Sequence, residues 1–391
     1  HWGVHAGAAY LIEVPDDWNG DLVIYAHGFR GFDPELTVTP PRIRDHLIAN
    51  GFAWASSSYS ANGYVPATGA HDTHRLAKRF RSLIGKPDRV FLTGDSMGGH
   101  VIGFALEQWP NDFDGATPRC GVMGDSELFD YFQDVYLAGE TVIGNTPAVP
   151  SPPDYQPDGA DALKAALGPA FPFVLNENGE KFKAIIKNLT GGERPVFDAG
   201  WVNSNGGNFA VGQAATGPGR ENLTTVYRFE DSGDLTLEEH EFNALIVRVA
   251  ADPQYRRQDG MGNYPGSQGG LNSPQINGTF TVPVVSLHTL GELFVPFHMQ
   301  QIYARRAAEN GNSHLLVQRA IRDVFHCSFT PEEMTEAFDD MVEWVDTGFR
   351  PGGDDVLDPS AVEDPAYGCA YTRDPPPLAN YRTLVGVPAC P

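Results

Sequence analysis

Five residues, Gly94-Asp95-Ser96-Met97-Gly98, constrain this chain more than any other stretch. They follow the apolar run Val90-Phe91-Leu92 and lead into a helical pattern from Met97 to Gln108. A serine between two glycines, at the turn from a strand into a helix, has the context of a nucleophile elbow. Gly94 and Gly98 leave room for a sharp turn, and the helix N-terminus behind the serine favours developing negative charge. Ser96 is the candidate nucleophile.

The surrounding sequence alternates short apolar runs with amphipathic segments, as βαβ units on a parallel sheet do. Strands are expected at Leu22–Ala26, Phe52–Ser57, Val90–Leu92, Gly121–Met123, Val282–Leu287 and Leu315–Ala320. Helices are expected at about Ile43–Ala49, Thr73–Ile84, Met97–Gln108, Pro296–Glu309 and Pro331–Val345. From Ser126 to Phe280 the rhythm breaks into Pro- and Gly-rich loops, such as Pro147 to Pro157 and Gly260 to Gly270. Helical patches at Ala160–Leu167, Lys181–Leu189 and Leu237–Val249 lie between them. The expected architecture is an α/β core from residues 1–125 and 281–350, a mostly parallel sheet flanked by helices. Residues 126–280 form a large inserted cap, and 351–391 an irregular tail.

His27-Gly28-Phe29 ends an earlier strand, where a backbone N–H is aimed at an oxyanion. The donors are expected from the amides of Phe29 and Met97, with His27 and Gly28 in support. The base is expected on a loop after the last strand, and His326 in Val324-Phe325-His326-Cys327 fits. His288 ends a strand before the acid, His298 falls in a helical pattern and His100 follows the serine. Glu292, on the loop after the resumed strand, is the expected acid, with Asp125 and Asp323 as rivals. Ser96, Glu292 and His326 keep the order serine, acid, histidine. Such a set performs acyl transfer and implies no metal or organic cofactor.

With these residues assembled, the chain resembles the α/β-hydrolase superfamily over about residues 8–126 and 280–348. The resemblance implies the α/β-hydrolase fold, a serine esterase activity and a small-molecule or polymeric ester substrate. The family loop His-Gly-x-x-Asp-x-x-Val-Pro appears here as His288-Thr289-x-x-Glu292-x-x-Val295-Pro296, with glycine and aspartate replaced. Val14-Pro15-Asp16-Asp17-Trp18-Asn19-Gly20 resembles the opening of tannase and feruloyl-esterase proteins. Those proteins also carry a cysteine after the histidine, as His326-Cys327 does, paired with one before the serine, where this chain has Asp95. Cys327 can instead pair with Cys120, or each remains a buried thiol. Phe171, Phe173, Phe182, Trp201 and Phe209 in the cap either pack it or line a pocket for a bulky or aromatic acyl group. A peptidase and a catalytically silent binding protein are the alternatives on the same fold.

Composition narrows the partners. With 27 basic against 50 acidic residues and a net charge of −23, the chain has no basic footprint for a nucleic acid. No apolar window approaches the ~18 residues of a membrane span. Four cysteines without a CxxC pair point to disulfides, and a Cys369–Cys390 bridge would pin the Pro-rich tail. The sequons at Asn188, Asn222 and Asn277, and a first residue, His1, that reads as processed, add to an expected extracytoplasmic location. Oligomeric state is not legible.

Overall fold

The computed structural model describes residues 1–204, 206–230, 233–253, 255–256, 273–374 and 380–391. The loop expected at Gly260 to Gly270 lies outside the described residues. In chain order the first half holds β1 (Trp2–His5), β2 (Ala8–Glu13), β3 (Leu22–Ala26), α1 (Arg44–Ala49), β4 (Ala53–Ser57), α2 (Pro66–Leu83), β5 (Val90–Asp95), α3 (Met97–Gln108) and β6 (Gly115–Arg119). Six helices follow: α4 (Glu127–Val142), α5 (Ala160–Leu167), α6 (Glu177–Leu189), α7 (Phe197–Trp201), α8 (Gly207–Gln213) and α9 (Leu237–Leu245). The sheet resumes with β7 (Val284–Thr289), α10 (His298–Glu309), β8 (Leu316–Ile321) and α11 (Pro331–Thr347), and the tail carries α12 (Pro359–Val362) and α13 (Tyr381–Leu384).

The strands form one sheet in the order β1-β2-β4-β3-β5-β6-β7-β8. β1 and β2 pair antiparallel at one edge, and every pairing from β4 to β8 is parallel. Successive side chains of a strand point to opposite faces, so a sheet covered on both sides needs apolar residues at every position. Ile24 and Leu92 pack on one side with Leu76, Phe80, Val101 and Ile102 of α2 and α3. Val23 and Phe91 pack on the other with Phe338, Met341 and Trp344 of α11.

Two expectations are corrected. Gly121–Met123 is not a strand: β6 lies earlier, at Gly115–Arg119, and Cys120 turns the chain out of it at φ 44°. β6 contains Gly115 and Pro118 and no apolar run, so its place between β5 and β7, not its propensity, makes it a strand. α2 begins at Pro66 rather than Thr73, because Ala67, Gly69 and Ala70 are too small to show a helical apolar stripe. The edge strands β1 and β2 and the long helix α4 were not anticipated.

Among the described residues, no helix is long and apolar enough to cross a membrane. Phe338 is fully buried, with its ring edge-on to Phe52 (5.3 Å) and Phe91 (6.2 Å). Phe338→Ala should therefore cost about 3–5 kcal/mol of unfolding free energy, read as a lower urea midpoint at unchanged m-value.

Candidate active site

β5 ends at Asp95, and the chain turns at Ser96 with φ 59° and ψ −122° before α3 starts at Met97. A non-glycine residue in that conformation is strained and persists only where its surroundings hold it. Here the Ser96 N–H donates to the Arg119 carbonyl at 3.0 Å, and the Gly99 N–H donates to the Ser96 carbonyl at 2.8 Å. The flanking glycines are there for space: a Cβ on Gly94 or Gly98 would lie 2.4 or 2.0 Å from the Ala26 carbonyl oxygen.

The loops after β7 and β8 bring the other two groups to the serine. His326 Nε2 lies 2.8 Å from Ser96 Oγ, and His326 Nδ1 lies 2.6 Å from Glu292 Oε2. Glu292 is fully buried, and its Oε2 also accepts the Val295 N–H at 3.2 Å. The rival carboxylates are occupied elsewhere. Asp125 accepts the Ile276 N–H and pairs with Arg306 at 2.6 Å, while Asp323 pairs with Arg382 at 2.7 Å and accepts from Tyr381. Among the other histidines, His100 donates from Nε2 to the Pro274 carbonyl, with the Tyr64 hydroxyl at its Nδ1, and His298 opens α10.

On the far side of the serine, Gly28 backs directly onto it: a Cβ there would be 3.1 Å from Ser96 Cβ. The preceding His27 is buried, stacked on Tyr59 at 3.9 Å, and the Tyr59 hydroxyl donates to the His27 carbonyl. Burial, reinforced by Arg30, lowers the His27 pKa to about 4. His27 is therefore a neutral brace whose Nδ1–H donates to the Gly28 carbonyl at 2.6 Å. Met97 opens α3, where first-turn N–H groups have no acceptor within the helix.

Two groups behind the serine escaped the sequence reading. Asp95 is buried against the Arg119 guanidinium at 2.8 Å and accepts the Tyr25 hydroxyl at 3.0 Å. Burial, the largest single influence, would raise its pKa, but Arg119, joined by Arg42 and the Tyr25 hydroxyl, makes the net direction downward. Arg119 carried no signal in the sequence, because the strand was expected after it, at Gly121–Met123, and not at Gly115–Arg119. The next residue, Cys120, forms a disulfide with Cys327, so neither is a free thiol, and Cys369 bonds Cys390 in the tail.

An aromatic group stands beside His326. Phe294 lies edge-on to His326 at 5.1 Å, stacks on Phe132 of α4 at 6.2 Å and meets Phe209 of α8 at 4.9 Å. Phe129 of α4 meets Tyr64 at 4.9 Å. Of the five aromatics singled out from sequence between residues 126 and 280, Phe209 reaches this group. Phe171 and Phe182 pack around buried Trp201, and Phe173 is 69% exposed. Of the sequons, Asn222 is buried, with its side chain bonded to Tyr227 and Val247.

Arg119→Met should cost about 3–5 kcal/mol at neutral pH by leaving Asp95 buried and unpaired. Replacing Asp95 by Asn in the same chain should recover part of the loss. A depressed carboxylate pKa stabilises fully above the ordinary carboxylate range and stops doing so as pH falls through the lower folded value. The stability gap between wild type and Arg119→Met should therefore close in acid, measured by urea unfolding across pH. Replacing both Cys120 and Cys327 by Ser should lower stability by about 2–5 kcal/mol.

No family model matches the chain. An o-phthalyl amidase of Xanthobacter agilis is 22% identical over 424 residues, covering 88% of this chain and 86% of the amidase. Among solved structures, feruloyl esterase B from Aspergillus oryzae covers 92% of this chain and 82% of its own at 15% identity and a TM-score of 0.49. Proline iminopeptidase from Mycobacterium smegmatis covers 87% of this chain and 96% of its own at 10% identity and a TM-score of 0.42. The order of the strands and the strained serine turn between β5 and α3 give the chain the α/β-hydrolase fold.

Proposed function

We propose that this α/β hydrolase is a secreted serine esterase that cleaves carboxylic esters through an acyl-enzyme. The observation that carries the proposal is the unbroken line Glu292–His326–Ser96, with contacts of 2.6 and 2.8 Å, ending on a strained turn at a helix N-terminus. Ser96 attacks the ester carbonyl carbon while His326 Nε2 takes the hydroxyl proton. Glu292 holds the imidazole in the Nδ1–H tautomer and stabilises the imidazolium. The amides of Phe29 and Met97 hold the oxyanion, and removal of one such donor is worth about 2.7–4 kcal/mol. His326 then gives its proton to the departing alcohol, and a water activated by the same ring releases the acid. Phe294 and its neighbours suit a bulky or aromatic acyl group. Two disulfides fit an oxidising compartment outside the cytoplasm.

Amide hydrolysis by the same residues is the alternative, favoured by the likeness to an amidase along 88% of the chain. The two differ in the leaving group: His326 protonates either one, but an amine cannot depart as its anion, so amide cleavage depends more strictly on that proton.

Wild type and Ser96→Ala assayed on short, medium and aromatic acyl esters, the matching anilides and peptide anilides test both. Ester turnover that falls on the order of 10⁶ in kcat with Ser96→Ala supports the esterase. Turnover of anilides alone moves the assignment to the amidase or peptidase, and equal turnover by Ser96→Ala ends both. Glu292→Gln should lower kcat on the order of 10⁴, because the amide no longer fixes the tautomer.

A further inference from the structure

Behind Glu292 lies a line of buried polar side chains that acyl transfer itself does not use. His288, near the end of β7, is 1% exposed, and its Nε2 lies 2.7 Å from the Val295 carbonyl and 3.5 Å from Glu292 Oε1. Its other nitrogen, Nδ1, is 3.2 Å from Gln300 Nε2 on α10. Gln300 Oε1 accepts the Ser286 hydroxyl at 2.8 Å and the Gln318 amide at 2.9 Å. Each group thus has one available role. A carbonyl can only accept, so His288 Nε2 carries the proton. Ser286 and Gln318 both donate to Gln300 Oε1, so the Gln300 amide nitrogen faces His288 and donates to Nδ1. The ring is a neutral Nε2–H imidazole whose tautomer is set from β7, α10 and β8.

We propose that His288, locked in this tautomer by Gln300, is a positioning residue for the acid. It ties down Val295, whose own N–H holds Glu292, and turns the positive end of its N–H toward the second carboxylate oxygen. This rests on the assignment of Glu292, His326 and Ser96 as the catalytic set. The charged and titratable groups that face His288 are Glu292, His326, Arg194 and His298. Burial, the largest influence, together with His326 and Arg194, outweighs Glu292 and keeps the ring neutral. A second imidazolium beside Glu292 would compete with His326 for the carboxylate, and Gln300, offering a donor rather than an acceptor at Nδ1, prevents it.

The test uses the full chain with Gln300→Glu, His288→Gln and His288→Leu, assayed on the ester that wild type turns over best. Gln300→Glu puts an acceptor at Nδ1, so His288 takes a second proton. The expected result is a kcat lower on the order of tenfold, KM within about twofold, and an acidic limb of kcat/KM moved to lower pH. His288→Gln keeps an N–H for Val295 and should retain most of the wild-type kcat. His288→Leu should lose on the order of tenfold at matched near-UV circular dichroism. A wild-type pH profile and kcat in folded Gln300→Glu overturns the proposal, and so does equal kcat in the two His288 variants. Either arm alone decides if the other does not fold. Failure of the underlying assignment looks different: a fluorophosphonate would then leave Ser96 of the wild type unlabelled.

Discussion

A guanidinium buried to 1% exposure behind a strained turn is tolerable only if a carboxylate neutralises it, and Arg119 with Asp95 meets that demand. The rest of the site hangs on where this pair sits. Arg119 closes β6; its side chain holds the residue before the serine, and its carbonyl holds the serine's own N–H. The following residue, Cys120, is covalently joined to Cys327, which follows the base. Two consecutive residues therefore fix Ser96 from one side and the His326 loop from the other. The histidine can stay within 2.8 Å of the hydroxyl because both are referred to the same strand end.

Glu292 is fixed by a different device. Glu292 belongs to a loop, not a strand, and a buried carboxylate on a loop needs its partners supplied by that loop or by the sheet beneath. Val295 supplies an N–H and His326 an imidazole, and β7, α10 and β8 contribute the hydrogen-bonded side chains behind His288. A glutamate in place of the aspartate of the related loop adds one methylene. Full burial and these contacts offset the added side-chain freedom, so the longer chain still delivers its oxygen to Nδ1 at 2.6 Å.

Much of this was legible in the sequence, and the limits have physical causes. The serine turn, the His27–Phe29 loop and His326 were readable because local rules fix them: glycines where backbones meet, an apolar strand before, a helix after. The strands of the parallel sheet were readable where both faces are buried, as in Leu22–Ala26 and Val90–Leu92. β6 was misplaced because Gly115-Ala116-Thr117-Pro118-Arg119 carries no strand propensity and is a strand through its neighbours alone. α4 went unseen although Leu128, Tyr131, Phe132 and Val135 repeat at helical spacing, because Pro- and Gly-rich loops further along suggested irregular chain. Contacts between distant residues left no local mark. Arg119 with Asp95 and Gln300 with His288 join separate segments that only the folded sheet brings together, and the Cys120–Cys327 bond decides between the two states the sequence left open for those cysteines.

The acidic surface and the aromatic group act at different ranges. A net charge of −23 spread over the molecule acts on anything approaching it, and at ordinary ionic strength it fades within about 8–10 Å. It disfavours polyanions and leaves neutral esters or amides unaffected. Selection among neutral substrates must then come from contact near Ser96. Phe294 lies there, its ring against His326 on one side and the α4 and α8 aromatics on the other. The ring sits two residues from the acid and on the same loop. Any movement of Phe294 would therefore also bear on Glu292, so the packing of the α4 and α8 aromatics and the alignment of Glu292 with His326 are coupled through one short loop.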